Sequence, residues 1–200
     1  MSTTSPPPLP PPWLLTPDKG VLSESQMRQL ETIFARLWPE DASRFIPGAV
    51  RLGACRFVSL LLARPPEVYR EISVWRVFYP RVLEALENWA QETHKTGITA
   101  LSDAQMITAL KALESKALVG FPDKLALPEF PNETYDQARV FITLLRHCWQ
   151  GCAADPRWGG NDDKLFWRCI GYAQPAEDIA FAAAGVDERE FLKPESLASL

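Results

Sequence analysis

The sequence predicts a mainly α protein, a compact orthogonal bundle of about five to seven helices behind a proline-rich N-terminal tail. Three observations carry this. Apolar residues recur at helical spacing through five segments. Two of those segments open with Ser-x-x-Gln, the spacing of a capping box, at Ser23/Gln26 and Ser102/Gln105. No segment alternates apolar and polar residues between turn glycines as a strand does.

The elements follow in order. Pro6 to Pro12 favour an extended polyproline II arm that can join neither a helix nor a sheet ladder, so residues 1–20 are expected to be a flexible tail and residues 21–200 a single α-helical domain. After Ser23, the residues Met27, Leu30, Ile33, Phe34 and Leu37 mark a first helix, ended by Pro39. Pro47 suits the first position of a second helix, whose stripe is Ala49, Val50, Ala54, Phe57, Val58 and Leu61 before Pro65-Pro66. A third segment from Glu67 to about Thr93 is expected to bend or split at Pro80. A fourth begins at Ser102 and is read through Met106, Leu110, Leu113 and Ala117 to a stop at Gly120-Phe121-Pro122. Residues 121–133, with three prolines among apolar residues, read as an ordered connector over the core. The fifth helix, Tyr135 to about Cys152, carries a wide apolar face that includes Leu144, Leu145, Cys148 and Trp149.

Composition narrows the function classes. The net charge of -4 and pI near 5.3 give no basic field for nucleic acid, and no apolar run reaches the roughly 20 residues of a membrane span. The N-terminus lacks the positive and apolar regions of a secretory signal. The chain is therefore expected to be cytoplasmic unless a partner carries it to the periplasm.

The densest segment runs from Asp155 to Tyr172. Asp155-Pro156 initiates a turn, Gly159-Gly160 gives backbone freedom, Asn161 can cap a helix opening with Asp162 and Asp163, and Gly171 can end it. That structural account leaves Arg157 and Trp158 at a loop tip, where a guanidinium and a large aromatic resemble interface anchors. A phosphate loop does not fit, because no Lys-Ser/Thr pair follows the glycines. Asp155, Asn161, Asp162 and Asp163 offer oxygen ligands without the spacing of a calcium-binding EF-hand. His147, Cys148, Cys152 and Cys169 invite a metal reading, but His147 and Cys148 project about 100° apart on a helix, and buried thiols are the plainer account. A Cys152 to Cys169 disulfide is the remaining option for these thiols. No nucleophile elbow, zinc-protease motif or dinucleotide fingerprint appears.

Asp155-Pro156, Trp158-Gly159-Gly160-Asn161, Trp167 and Ile170-Gly171-Tyr172 together resemble the C-terminal signature of the gluconate 2-dehydrogenase subunit 3-like family. The segments Leu22 to Pro39, Ala49 to Leu62 and the helix start at Leu101-Ser102 are also similar. Phe166 stands where that pattern has a small residue, and Ala173 where it has proline.

The resemblance implies a non-catalytic small subunit that binds and stabilises a large FAD-dependent dehydrogenase of the glucose-methanol-choline class. That partner oxidises a sugar, sugar acid or related alcohol, often with a cytochrome c subunit receiving electrons. It implies no cofactor, metal or catalytic residue in this chain, and FAD in the large one. Asp155, Arg157, Trp158, Gly159, Gly160, Asn161, Trp167 and Tyr172 are expected in or under the partner interface. The rival readings are an independent α-helical enzyme using the cysteine cluster and an adaptor recruited through the Pro6–Pro12 arm.

Overall fold

Both Ser-x-x-Gln motifs close as capping boxes. Ser23 and Ser102 each accept from the backbone N–H of the glutamine three residues on, and that glutamine's side chain returns to the serine N–H. They start α1 (Glu24–Leu37) and α4 (Asp103–Glu114) in the computed structural model, which describes residues 17 and 19–172. The remaining helices are α2 (Ala54–Ala63), α3 (Ile72–His94), α5 (Gln137–Ala153) and α6 (Leu165–Cys169), with β1 (Lys124–Ala126) and β2 (Thr134–Asp136) between α4 and α5. The mainly α expectation holds. Most of the proline-rich tail, and the chain beyond Tyr172, lie outside the described residues.

The second helix is the axis of the structure. Eight of the ten residues of α2 are buried, because α1, α3 and α5 all pack on it and Gly20 to Leu22 cover Ser59, whose hydroxyl accepts from the Leu22 N–H at 3.0 Å. A helix enclosed on nearly every side must be apolar nearly all round, and Phe57 to Ala63 satisfies that with one serine. Its carboxyl end is satisfied from α3, where Arg76 donates to the Leu62 and Arg64 carbonyls at 2.6 and 2.5 Å. Carbonyls at a helix end have no partner within the helix, so a guanidinium there serves both hydrogen bonding and the helix dipole.

Four expectations need correction. The second helix starts at Ala54, not Pro47. Gly53 takes φ +72, which stops a helix running back through it, and Val50 is exposed. The third helix starts at Ile72 and is not split at Pro80, running on to His94. Its flanks Phe78, Tyr79, Val82 and Leu83 are buried, and that packing outweighs the one backbone hydrogen bond a proline removes. The fourth ends at Glu114. Lys116 adopts φ +58 and hydrogen bonds Lys116 N–H to Leu113 and Ala117 N–H to Ala112 close a Schellman motif, leaving Ala117 exposed.

The fourth concerns the connector and the fifth helix. Lys124–Ala126 pairs antiparallel with Thr134–Asp136, so Tyr135 lies in a strand and α5 begins at Gln137. Each strand has three residues with only the middle one buried, too short for alternation to register in a sequence. On α5 the buried residues include Val140, Leu144, His147, Cys148, Gly151 and Cys152. Trp149 falls outside this stripe and is exposed.

Gln137 fastens the connector to α5. Its buried amide accepts from Leu118 N–H at 2.9 Å and donates to the Leu118 and Phe121 carbonyls at 3.1 and 3.3 Å. Gln137→Ala would strand these backbone groups, and each unsatisfied buried polar group costs about 1–3 kcal/mol. Urea unfolding is expected to show a loss of about 2 kcal/mol or more; a loss below about 0.5 kcal/mol would mean that water replaces the amide.

Candidate functional site: the glycine clasp and the enclosed reactive groups

The segment from Asp155 to Tyr172 folds as a clasp over the place where α2 and α5 cross. Gly151 of α5 sits so close to Ala54 that a Cβ on it would lie 2.7 Å from the Ala54 Cα. On the other side, the Gly151 carbonyl accepts from Asn161 N–H at 3.0 Å, and a Cβ on Gly160 would fall 2.1 Å from that carbonyl oxygen. Gly159 takes φ +91 with Leu60 packed against it. Gly159 is therefore required by its positive φ and Gly160 by close approach of the Gly151 backbone, and neither faces an open site.

Asn161 completes the clasp from within. It is fully buried, adopts φ +49, and its Oδ1 accepts from Phe166 N–H at 2.8 Å, capping the first turn of α6. It does not cap a helix opening with Asp162 and Asp163: those residues form a short 3₁₀ turn that Asn161 precedes without a side-chain hydrogen bond, and Asp163 takes a non-helical φ of +53. The Asn161 Nδ2 has no hydrogen-bond partner among the described residues. Asp162 reaches the start of α2 instead: its N–H donates to the Leu52 carbonyl at 3.2 Å and its carboxylate pairs with Arg56, whose Nε also donates to the Gly159 carbonyl at 3.0 Å.

Trp158 does not stand free at a loop tip. It is half-buried at the end of the 3₁₀ turn Pro156–Trp158, and the Arg64 guanidinium lies over its ring, 4.1 Å from the centroid. Arg64 itself is 1% exposed and its Nη1 has no hydrogen bond among the described residues; burial pulls its pKa below the usual arginine value. The ring's negative face partly replaces the water that the cation has lost. Trp167 is also buried, donating from Nε1 to the Ala153 carbonyl at the end of α5. Gly171 and Tyr172 close α6 in a Schellman motif, with Tyr172 N–H on the Trp167 carbonyl and the two rings 5.5 Å apart. Of the eight residues expected at or beneath an interface, Arg157 and Tyr172 are exposed, Asp155 and Trp158 are half-buried, and Gly159, Gly160, Asn161 and Trp167 are interior.

Two of the four candidate oxygen ligands, Asp155 and Asp162, are engaged by cations. Asp155 accepts from Arg157 N–H and pairs with its guanidinium at 2.9 Å, and Asp162 pairs with Arg56. Among the described residues no group of three or more His, Cys, Asp or Glu side chains is placed to hold a metal. The cysteines are free thiols: Cys55, Cys148 and Cys152 are buried, whereas Cys169 is exposed and donates to the Phe45 carbonyl, so it forms no disulfide with Cys152.

The interior thiols and His147 lie beneath the clasp, between α2, α3 and α5. Burial pushes the Cys55 thiol up, and a hydrogen bond with Cys152 together with burial pushes Cys148 up, so both stay protonated and poor nucleophiles. The Tyr79 hydroxyl meets His147 Nδ1 at 2.8 Å, with Trp75 edge-on at 4.4 Å. Burial raises the Tyr79 pKa and, with the nearby Arg146 charge, lowers that of His147 to about 3. These groups are packed core. Sequence reading missed the two arginines that organise the clasp, Arg56 and Arg64, because their partners Asp162 and Trp158 lie far along the chain.

A pH dependence follows from His147. It stays neutral in the folded chain until about pH 3, whereas an unfolded imidazole takes up a proton near pH 6.5. Between these values the unfolded state binds the additional proton, so stability falls with falling pH, by up to about 1.4 kcal/mol per unit. His147→Gln is expected to flatten the fall in unfolding free energy between pH 7 and 5. A slope unchanged from wild type would show that His147 is not held neutral.

No curated protein and no solved structure matches the chain. A family model does: Gluconate 2-dehydrogenase subunit 3 matches residues 24–174, which takes in α1 to α6, the clasp and the enclosed α2. With the glycine-dependent geometry of that signature on one side and a match over most of the chain on the other, the protein belongs to the gluconate 2-dehydrogenase subunit 3 family and is a subunit type of a gluconate dehydrogenase complex.

Proposed function

We propose that this chain is the non-catalytic small subunit of a dehydrogenase complex, and that it binds and stabilises a large FAD-dependent chain of the glucose-methanol-choline class. The large chain would carry the flavin and oxidise gluconate, a related sugar acid or an alcohol, with a cytochrome c subunit as its electron acceptor. The observation that carries the reading is the family match over residues 24–174. It is supported by the fate of the reactive side chains: Cys55, Cys148 and His147 are enclosed and held in neutral forms, which suits a scaffold better than a nucleophilic enzyme.

The clasp has a part in this reading. Gly159, Gly160, Asn161 and Trp167 set the backbone from beneath, while Arg157, Trp158 and Tyr172 reach toward the surface. A partner contact built on such packed, hydrogen-bonded elements loses little entropy on binding.

Co-expression of the tagged chain with the large flavoproteins of its own genome tests the proposal. The expected result is a stoichiometric complex with flavin absorbance, together with a several-fold drop in soluble flavoprotein when this chain is omitted. A colourless chain that recovers no flavoprotein, and flavoproteins that fold equally well without it, would contradict the proposal.

A further inference from the structure

A subunit must meet its neighbour somewhere, and three of the four exposed aromatic side chains among the described residues fall near one another. Phe45 is 75% exposed, Trp149 46% and Tyr172 51%, with the aliphatic Ile170 at 58% among them, while Tyr69 stacks on Trp75 elsewhere. The four grouped side chains come from three stretches far apart in sequence: the loop between α1 and α2, the outer side of α5, and the end of α6. Contacts draw these stretches together. The Cys169 thiol donates to the Phe45 carbonyl at 3.4 Å. The Trp149 ring lies 5.6 Å from Phe166, whose carbonyl accepts from Ile170 N–H. Tyr172 packs on Trp167, as described above.

The groups are held in place before anything binds. Trp149 is braced between Trp38, at 5.3 Å, and Phe166. Phe45 sits at the tip of a loop closed by paired Asp41 and Ile46 backbone bonds, and it adopts φ +55. A left-handed conformation is disfavoured for a non-glycine residue, and here it presents a phenyl ring to water.

Charges of both signs surround these rings, and most are already paired. Arg44 adjoins Phe45, Arg168 adjoins Cys169, and the Arg51 charge acts on the Cys169 thiol. Arg44 and Arg51 pair with Asp41 and Glu40, whereas Arg168 takes part in none of the ion pairs formed among the described residues. Rigid aromatics with arginine at their edge are the composition of binding hot spots. On a chain of net charge -4, the exposed Arg168 beside these rings selects a neighbour with a carboxylate at its own edge.

We infer that the face formed by Phe45, Trp149, Ile170 and Tyr172 docks on the large flavoprotein subunit, against an apolar hollow edged by a carboxylate. This rests on the small-subunit reading above and moves the centre of contact from the glycine loop to the aromatic face beside it.

The test uses the full chain co-expressed with its flavoprotein, in wild-type form and as Phe45→Glu, Arg168→Glu and Val119→Glu. Val119 is 87% exposed and lies in the turn after α4, so it serves as the control. Recovery of flavin with the tagged chain and urea unfolding of the chain alone are both measured. The expected result is that Phe45→Glu and Arg168→Glu unfold like wild type but recover at least ten-fold less flavoprotein, while Val119→Glu recovers as much as wild type. Wild-type recovery by both face variants would overturn the inference and leave the small-subunit reading standing. Failure of the wild-type chain to recover any flavoprotein would overturn both. A wild-type chain that is dimeric alone and becomes monomeric in Phe45→Glu would assign the face to a second copy and overturn the inference. Easier unfolding of the face variants, matched by deletion of residues 173–200, would assign it to the chain's own C-terminal stretch and also overturn it.

Discussion

The structure depends on how closely three backbones meet at Gly151. α2 approaches from one side through Ala54, and the loop after α5 approaches from the other through Gly160 and the Asn161 N–H. Helices that approach at small residues bury more of each other's neighbouring side chains, and a loop can cross that junction only where it too lacks side chains. The clasp satisfies its own polar groups there: Asn161 caps α6, Asp162 reaches the Leu52 carbonyl and Arg56, and Trp167 reaches the end of α5. The last described helix is thereby fixed to the two that form the core.

Closing that junction has chemical consequences. The enclosed thiols and His147 are kept in neutral forms, and Arg64 is kept as a cation beneath a tryptophan ring. Groups that a sequence reader lists as candidate nucleophiles or ligands are thus parts of the interior. What the clasp leaves outside is a set of braced aromatic and arginine side chains, which belong to recognition chemistry.

Legibility followed the range of the interactions involved. The two capping boxes are local, complete within four residues, and were readable from Ser23 and Ser102 alone. The turn role of the glycines was readable in kind, but its cause was not, since the atom that excludes a Cβ at Gly160 belongs to Gly151 and no local pattern links the two. The start of α2 is illegible for the same reason: Gly53 lies against Asp162 in a left-handed conformation, and Pro47 has the better local claim. Trp149 reads as part of the buried side of α5 because apolar character alone does not distinguish a core ring from a displayed one. The two short strands left no periodic trace, and the covering of Arg64 by Trp158 left none at all.

Unfolding of Gly160→Ala compared with Gly171→Ala tests the central role of this junction most directly. Gly171 has φ +68 and open space around it, whereas Gly160 is limited by the Gly151 backbone. A loss of about 1 kcal/mol is expected at Gly171, from conformational strain alone. At Gly160 a loss of about 3 kcal/mol or more is expected, since neither backbone can shift without breaking the hydrogen bond from Asn161. Equal losses at the two positions, or a neutral Gly160→Ala, would contradict the claim that this close approach holds the fold together.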